Sequence, residues 1–148
     1  MSRSEAKRAS YHITVPTIIV SITDPDRDVV RFRNAPNSNI LGICRVSFDD
    51  IDRKQSPDDI LMSQEDAKKI KAFVERYKGR AEQIIVHCEA GVSRSAGVMA
   101  AIKEWLDGDK FSTWNDQRYR PNQHCYRQMI EAIFGRILWR MKKHKNDT

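Results

Sequence analysis

Long hydrophobic runs are absent from this sequence of 148 residues. No apolar stretch approaches the roughly 20 residues that a helix needs to cross a bilayer. The first residues, Met-Ser-Arg-Ser-Glu-Ala-Lys-Arg, contain no hydrophobic segment of the signal-peptide type. We therefore expect a cytoplasmic protein that has no membrane partner.

Cysteine is also scarce, with only Cys44, Cys88 and Cys125. An odd, small number argues against the disulfide framework of a secreted domain. Two His-Cys pairs, His87-Cys88 and His124-Cys125, suggest zinc as a weaker alternative, but no further residues have metal-ligand spacing. Cys44 and Cys125 lie in apolar stretches and are better interpreted as buried filler than as redox partners of Cys88.

Internal repeats, low-complexity tracts and long linkers are missing as well, so we predict one domain over residues 1–148. This length suffices to bury roughly two-thirds of the unfolded surface. The net charge is +6 and the pI is near 9.4, with a basic cluster at Lys142-Lys143-His144-Lys145. Such charge is weak support for acidic, phosphorylated or RNA ligands.

Strand and helix patterns alternate along the chain. Strands are predicted at 17–23, 29–32, 43–48 and 84–86, and helices at 63–79, 94–106, 112–117 and 122–143. Alternation of this kind predicts an α/β fold with a central, mostly parallel sheet flanked by helices. Ligands of such sheets bind at the carboxyl ends of the strands.

The most informative segment follows the apolar run Ile84-Ile85-Val86 and reads His-Cys-Glu-Ala-Gly-Val-Ser-Arg-Ser-Ala-Gly from His87 to Gly97. Backbone N–H groups and the positive dipole end at the start of the following helix favour an anion. Gly91 allows successive N–H groups to converge as an anion nest. The same field favours the thiolate of Cys88, and Arg94 can hold two oxygens through parallel hydrogen bonds.

The pattern His87-Cys88-x-x-Gly91-x-x-Arg94-Ser95 resembles the signature of the cysteine-dependent protein tyrosine phosphatases, and 91–95 is most similar to the dual-specificity branch. The likeness is to a short member of microbial or viral type. Downstream, Tyr119-Arg120-Pro121-Asn122 resembles the Pro-Asn segment of that branch. The resemblance covers residues 43–134 and leaves the first forty residues unmatched.

The resemblance implies a dual-specificity phosphatase-like fold and hydrolysis through a phosphocysteine. Cys88 would be the nucleophile, and Ser95 would assist departure of its sulfur. The phosphate would be bound by the loop residues Glu89, Ala90, Gly91, Val92, Ser93 and Arg94, with His87 and Asn122 supporting the loop. We expect a monomer that acts on phosphorylated proteins and needs no cofactor or metal.

A carboxylic acid must supply a proton to the leaving oxygen. The loop after the predicted strand 43–48 offers Asp49, Asp50, Asp52, Asp58 and Asp59. Phe48-Asp49-Asp50 resembles a stretch of the regenerating-liver phosphatases in which the second Asp is the acid. This likeness favours Asp50 and leaves Asp49 as the next alternative.

Other functions stay open at this point. The basic charge is compatible with an RNA 5′-triphosphatase that uses the same cysteine chemistry. A non-catalytic phosphotyrosine-binding module would also use the anion nest, although such modules commonly lose the cysteine, arginine or acid. A short interaction protein with a fortuitous loop ranks last.

Overall fold

The computed structural model describes residues 1–32 and 39–135. The elements follow one another as α1 (Arg3–Ala9), β1 (Thr17–Thr23), β2 (Ile40–Ser47), α2 (Gln64–Tyr77), β3 (Gln83–His87), α3 (Arg94–Asp107), α4 (Ser112–Asn115) and α5 (Gln123–Phe134). Their order confirms the predicted α/β fold.

The sheet of the described residues has three parallel strands in the order β2-β1-β3. Every residue of β1 is buried, as expected for a continuous β-branched strand that is covered on both faces. Thr23 of β1 pairs with Ser47, and Ser21 pairs with His87. The carboxyl ends of all three strands therefore meet at one edge, where the loops after β1 and β2 lie beside Cys88.

Alternate residues of β1 enter two different cores, as the pleat of a strand requires. Ile18, Val20 and Ile22 pack in the larger core, to which α2, α3 and α5 contribute. Ile19 packs in a smaller core on the other face. That face is covered by α1 and by the extended segment around residues 30–32, whose apolar side chains are buried.

Local capping interactions fix three helix ends. Ser63 forms a capping box with Asp66 at the start of α2. Gly108 ends α3 in the left-handed conformation with φ 66°. The Asn122 side chain accepts a hydrogen bond from the Cys125 amide and begins α5. The predicted extension of this last helix to Lys143, and the basic cluster, lie outside the described residues.

Three predictions of local structure need correction, and one helix was missed. The strand predicted at 29–32 does not form; Val30 and Phe32 are buried against the smaller core without joining the sheet. Helix α1 was not predicted. Strand β2 covers 40–47 in place of 43–48, and α4 ends two residues earlier than expected. Among the described residues, no helix has the length and apolarity that a bilayer span requires.

Candidate active site

The cysteine loop, residues 88–94, connects β3 to α3 at the carboxyl edge of the sheet. Cys88 lies at its base and is only 2% exposed. The amide of Gly91 donates a hydrogen bond to Sγ of Cys88 at 3.3 Å, and Oγ of Ser95 lies 3.2 Å from the same sulfur. Two polar groups from the loop and the start of α3 therefore lie within hydrogen-bond distance of the sulfur.

Gly91 is required at its position for two reasons. Its φ is +76°, a conformation that side chains disfavour, and a Cβ there would lie 2.4 Å from the Met1 carbonyl carbon. The backbone of the N-terminal residues passes at this point. The amide of Cys88 donates to the Met1 oxygen at 3.2 Å, and the Arg3 amide donates to the Glu89 oxygen at 3.0 Å.

Arg94 begins α3 and is buried, with 3% of its surface exposed. Its Nη1 forms an ion pair with Oδ1 of Asp24 at 2.7 Å and donates a hydrogen bond to the carbonyl oxygen of Phe48 at 2.7 Å. Its Nε is buried and has no hydrogen-bond acceptor among the described residues. A buried donor without a partner is costly in a folded protein, so this N–H group is suited to an anion.

The two adjacent carboxylates after β2 have different surroundings. Oδ1 of Asp50 accepts hydrogen bonds from Oγ of Ser93 at 2.8 Å and from Nδ2 of Asn122 at 3.2 Å. Oδ2 of Asp49 accepts a hydrogen bond from the Ile60 amide at 2.8 Å, which closes the loop from residue 49 to residue 60. Only Asp50 is therefore held against the cysteine loop.

Asn122 joins four parts of the structure although its surface is only 6% exposed. The side-chain Nδ2 also donates to the Ile51 main-chain oxygen at 3.0 Å. The main-chain amide of Asn122 donates to the Ser93 main-chain oxygen at 3.0 Å. A Cβ on Gly97 would lie 2.5 Å from the Asn122 oxygen, so α3 and α5 approach closely here. Asn122 was expected to support the loop, and it contacts Asp50 as well.

His87 is fully buried beneath the loop. Its Nδ1 lies 3.1 Å from the Cys88 oxygen and its Nε2 lies 2.6 Å from Oγ of Ser21. Desolvation by burial lowers the pKa of His87, so the ring is neutral at pH 7. A carbonyl can only accept, so Nδ1 carries the proton and Nε2 accepts from the Ser21 hydroxyl.

Glu89 of the loop pairs with arginine side chains from outside the loop. Its Oε1 pairs with Nη1 of Arg27 at 2.6 Å, and its Oε2 lies 4.0 Å from Nη1 of Arg3. Ala90 and Val92 are exposed at the loop surface, whereas Ser93 uses its hydroxyl on Asp50. The loop carboxylate is thus neutralised by arginines from outside the loop.

The other two cysteines are buried and free. Desolvation by burial raises the pKa of both the Cys44 and the Cys125 thiol, so both stay protonated at neutral pH. These surroundings agree with their interpretation as filler. Within residues 1–32 and 39–135, no three His, Cys, Asp or Glu side chains come together to hold a metal ion.

Known proteins resemble this chain in structure but not in sequence. No family model and no curated protein matches the sequence. A human tyrosine phosphatase-like serine/threonine/tyrosine-interacting protein superposes with a TM-score of 0.56 at 19% identity, over 88% of this chain and 83% of the other. A mouse putative dual specificity phosphatase complexed with zinc tungstate gives 0.57 at 17% identity, over 90% and 79%. The chain has a dual-specificity phosphatase fold.

A third structure, that of PTPMT1, extends this fold likeness to nearly the whole chain. It gives a TM-score of 0.53 at 14% identity and covers 98% of this chain and 90% of the other. The structural likeness therefore reaches into residues 1–32, for which the sequence showed no motif.

Several residues around the loop were not identified from the sequence. Asp24, Arg27 and Ser21 lie in or just after β1, and residues 1–3 lie against the loop backbone. One signal was available for Asp24. It directly follows a buried strand, and parallel strands bring their carboxyl ends to the same edge of a sheet. Nothing in the sequence of residues 1–3 indicated their position.

Proposed function

We propose that this protein is a cysteine-dependent phosphatase that hydrolyses phosphotyrosine in proteins, with phosphoserine and phosphothreonine as further substrates. One observation carries the proposal. A single loop combines the Cys88 sulfur, its two polar neighbours and a buried guanidinium whose Nε–H has no acceptor in the described structure. A tetrahedral oxyanion above the sulfur would supply that acceptor.

The first step is an in-line displacement at phosphorus. The Cys88 thiolate forms the S–P bond while the bond to the leaving oxygen breaks, and Asp50 gives its proton to that oxygen. Arg94 and the loop amides hold the other phosphate oxygens, where fixed dipoles contribute most to the rate. The hydrogen bond from Ser93 of the loop to Asp50 supports this role for Asp50.

The second step returns the enzyme to its starting state. Asp50 takes a proton from water, whose oxygen attacks phosphorus as the S–P bond breaks. The sulfur leaves as a thiolate, and the Ser95 hydroxyl, 3.2 Å from it, is placed to donate a hydrogen bond to the developing charge. His87 takes no proton in either step, because it is neutral and holds the Cys88 carbonyl.

The surroundings of the loop favour an aromatic phosphoester on a protein. Val92 within the loop is 38% exposed, and Ile60, whose backbone pairs with Asp49, is 47% exposed. Val92 is an exposed apolar side chain on the loop itself, which suits a phenyl ring. We propose that the protein acts as a monomer in the cytoplasm, without a cofactor.

The test compares phosphate release from matched phosphotyrosine and phosphothreonine peptides by wild type and Cys88→Ser, under reducing conditions with a chelator present. We expect release from phosphotyrosine that disappears in the variant. Equal release by both proteins would refute the cysteine mechanism. Greater release from triphosphate-ended RNA than from phosphotyrosine would instead favour an RNA 5′-triphosphatase.

A non-catalytic phosphotyrosine-binding module is the second candidate. The observation that favours it is the likeness to the human phosphatase-like interacting protein. Such a module would bind the phosphotyrosine peptide without releasing phosphate, whereas the phosphatase releases it. Calorimetric binding beside the release assay separates the two, because tight binding without turnover by the reduced protein would support the module.

A further inference from the structure

Asp24, which directly follows β1, lies outside every motif that predicted the site, yet it contacts Arg94. We propose that Asp24 is a positioning residue for Arg94, fixing the guanidinium so that its remaining edge faces the phosphate. This inference rests on the proposed function and extends it to a residue that does not touch the substrate.

The geometry leaves the guanidinium little freedom. Nη1 forms an ion pair with Asp24 and donates a hydrogen bond to the Phe48 carbonyl, each at 2.7 Å, and the Arg94 side chain is 4% exposed. Holding Nη1 in this way leaves the edge formed by Nε and Nη2. That edge carries two parallel N–H groups, which match two oxygens of a phosphate. The buried Nε–H, which lacks an acceptor among residues 1–32 and 39–135, belongs to it.

The charge of Asp24 has two opposite effects on the affinity for phosphate. As a neighbouring anion, it would repel a phosphate dianion and weaken its binding. As an anchor, it removes the conformational freedom that Arg94 would otherwise lose when phosphate binds. Our proposal requires the second effect to be larger. Neutralising Asp24 should therefore weaken phosphate binding, whereas pure repulsion predicts tighter binding.

The turn that carries Asp24 contacts the cysteine loop at both ends. The Arg27 amide donates to the Asp24 oxygen at 3.1 Å, which closes the turn. From the same turn, Arg27 pairs with Glu89 at 2.6 Å, next to the nucleophile. Asp24 therefore lies on a turn that itself contacts the cysteine loop. This contact holds the Asp24 carboxylate in a constant position relative to Arg94.

The experiment uses Asp24→Asn, which keeps the shape and one acceptor oxygen but removes the charge. Asp26→Asn is the matched control, since Asp26 is an exposed carboxylate of the same turn that forms no ion pair with another described residue. Binding of a phosphotyrosine peptide is measured by calorimetry in the Cys88→Ser background, with and without Arg94→Ala. The Nε–H resonance of Arg94 is followed by NMR in each protein with arginine at 94.

We expect Asp24→Asn to weaken peptide binding about tenfold when Arg94 is present, since the ion pair that anchors a buried guanidinium is lost. It should have no further effect in the Arg94→Ala background, and the Arg94 Nε–H signal should broaden or shift. Asp26→Asn should change none of these. Unchanged or tighter binding, or an equal loss without Arg94, would overturn the proposal.

Failure of this proposal is distinguishable from failure of the proposed function. Wild-type release of phosphate that depends on Cys88, together with unaltered binding by Asp24→Asn, would leave the phosphatase in place and remove Asp24 from it. If wild type releases no phosphate, inorganic phosphate binding to wild type and Asp24→Asn still tests the contact with Arg94. Equal affinities would overturn it there too.

Discussion

Asn122 offers a prediction that separates stability from catalysis. Its Oδ1 accepts from the Cys125 amide at the start of α5, while its Nδ2 donates to Ile51 and Asp50. Asn122→Ala removes both functions. Asn122→Ser retains a short oxygen acceptor that can cap the helix, but its hydroxyl is too short to replace the amide that reaches Asp50.

The expected magnitudes follow from these contacts. Loss of an N-cap costs about 1 kcal/mol, and loss of the hydrogen bond to the Ile51 oxygen costs about 1 kcal/mol more. The bond to exposed Asp50 adds little stability. Asn122→Ala should thus lose about 2 kcal/mol, a decrease in Tm of roughly 4–8 °C, and Asn122→Ser about half as much.

Catalysis should respond differently from stability. General acid catalysis is worth about 10²–10⁴ in rate, and it matters most for a leaving group that needs a proton. Both Asn122 variants should therefore lose about tenfold in kcat/KM on a phosphotyrosine peptide, since part of that contribution is forfeited. The kcat/KM value covers only the steps up to formation of the phosphocysteine, so on an activated aryl phosphate with a stable leaving anion it should stay near wild type. An equal loss on both substrates would refute the argument that Asn122 positions Asp50.

Three further predictions follow from the same structure. Asp50→Asn should lower kcat on phosphotyrosine about 100-fold, whereas Asp49→Asn should lower Tm yet keep kcat; equal kinetics would contradict the assignment. Burial lowers the pKa of His87, so below about pH 6.5 mainly the unfolded ring gains a proton. The free energy of unfolding should therefore fall between pH 7 and 5, and His87→Gln should flatten that slope; an unchanged slope would refute this. Gly97→Ala forces a Cβ to within 2.5 Å of the Asn122 oxygen and should cost about 2 kcal/mol in urea unfolding; wild-type stability would contradict this packing.

Elements with strong local signals could be predicted from the sequence. Strand β1 was predicted with its observed bounds because an unbroken β-branched run is typical of a buried strand. The cysteine loop was equally clear, since its glycine, its arginine and the strand before it lie within a dozen residues. The order of these elements was enough to indicate the sheet and the edge at which Cys88 lies.

The rest depended on tertiary contacts. The apolar residues at 29–32 indicated burial correctly but not strand pairing, because Val30 and Phe32 fill the smaller core without joining β1 or β2. Helix α1 buries little besides Ala6, so its polar sequence showed no hydrophobic periodicity. The role of Asp24 arises from its proximity to Arg94, which lies 70 residues away along the chain.

Similarly, the choice between Asp49 and Asp50 could not be made from two adjacent identical residues. Their hydrogen bonds distinguish them, because one carboxylate closes its own loop on Ile60 and the other contacts Ser93. This difference supports Asp50 as the general acid in our proposal.

Covalent capture of the intermediate is the most direct test that Cys88 is the nucleophile. The reduced protein would be mixed with a radiolabelled phosphotyrosine peptide and quenched in acid within milliseconds, and the labelled residue would be identified by mass spectrometry. We predict transient label on Cys88 and none in Cys88→Ser. Turnover without label on Cys88, or turnover that persists in Cys88→Ser, would contradict the account.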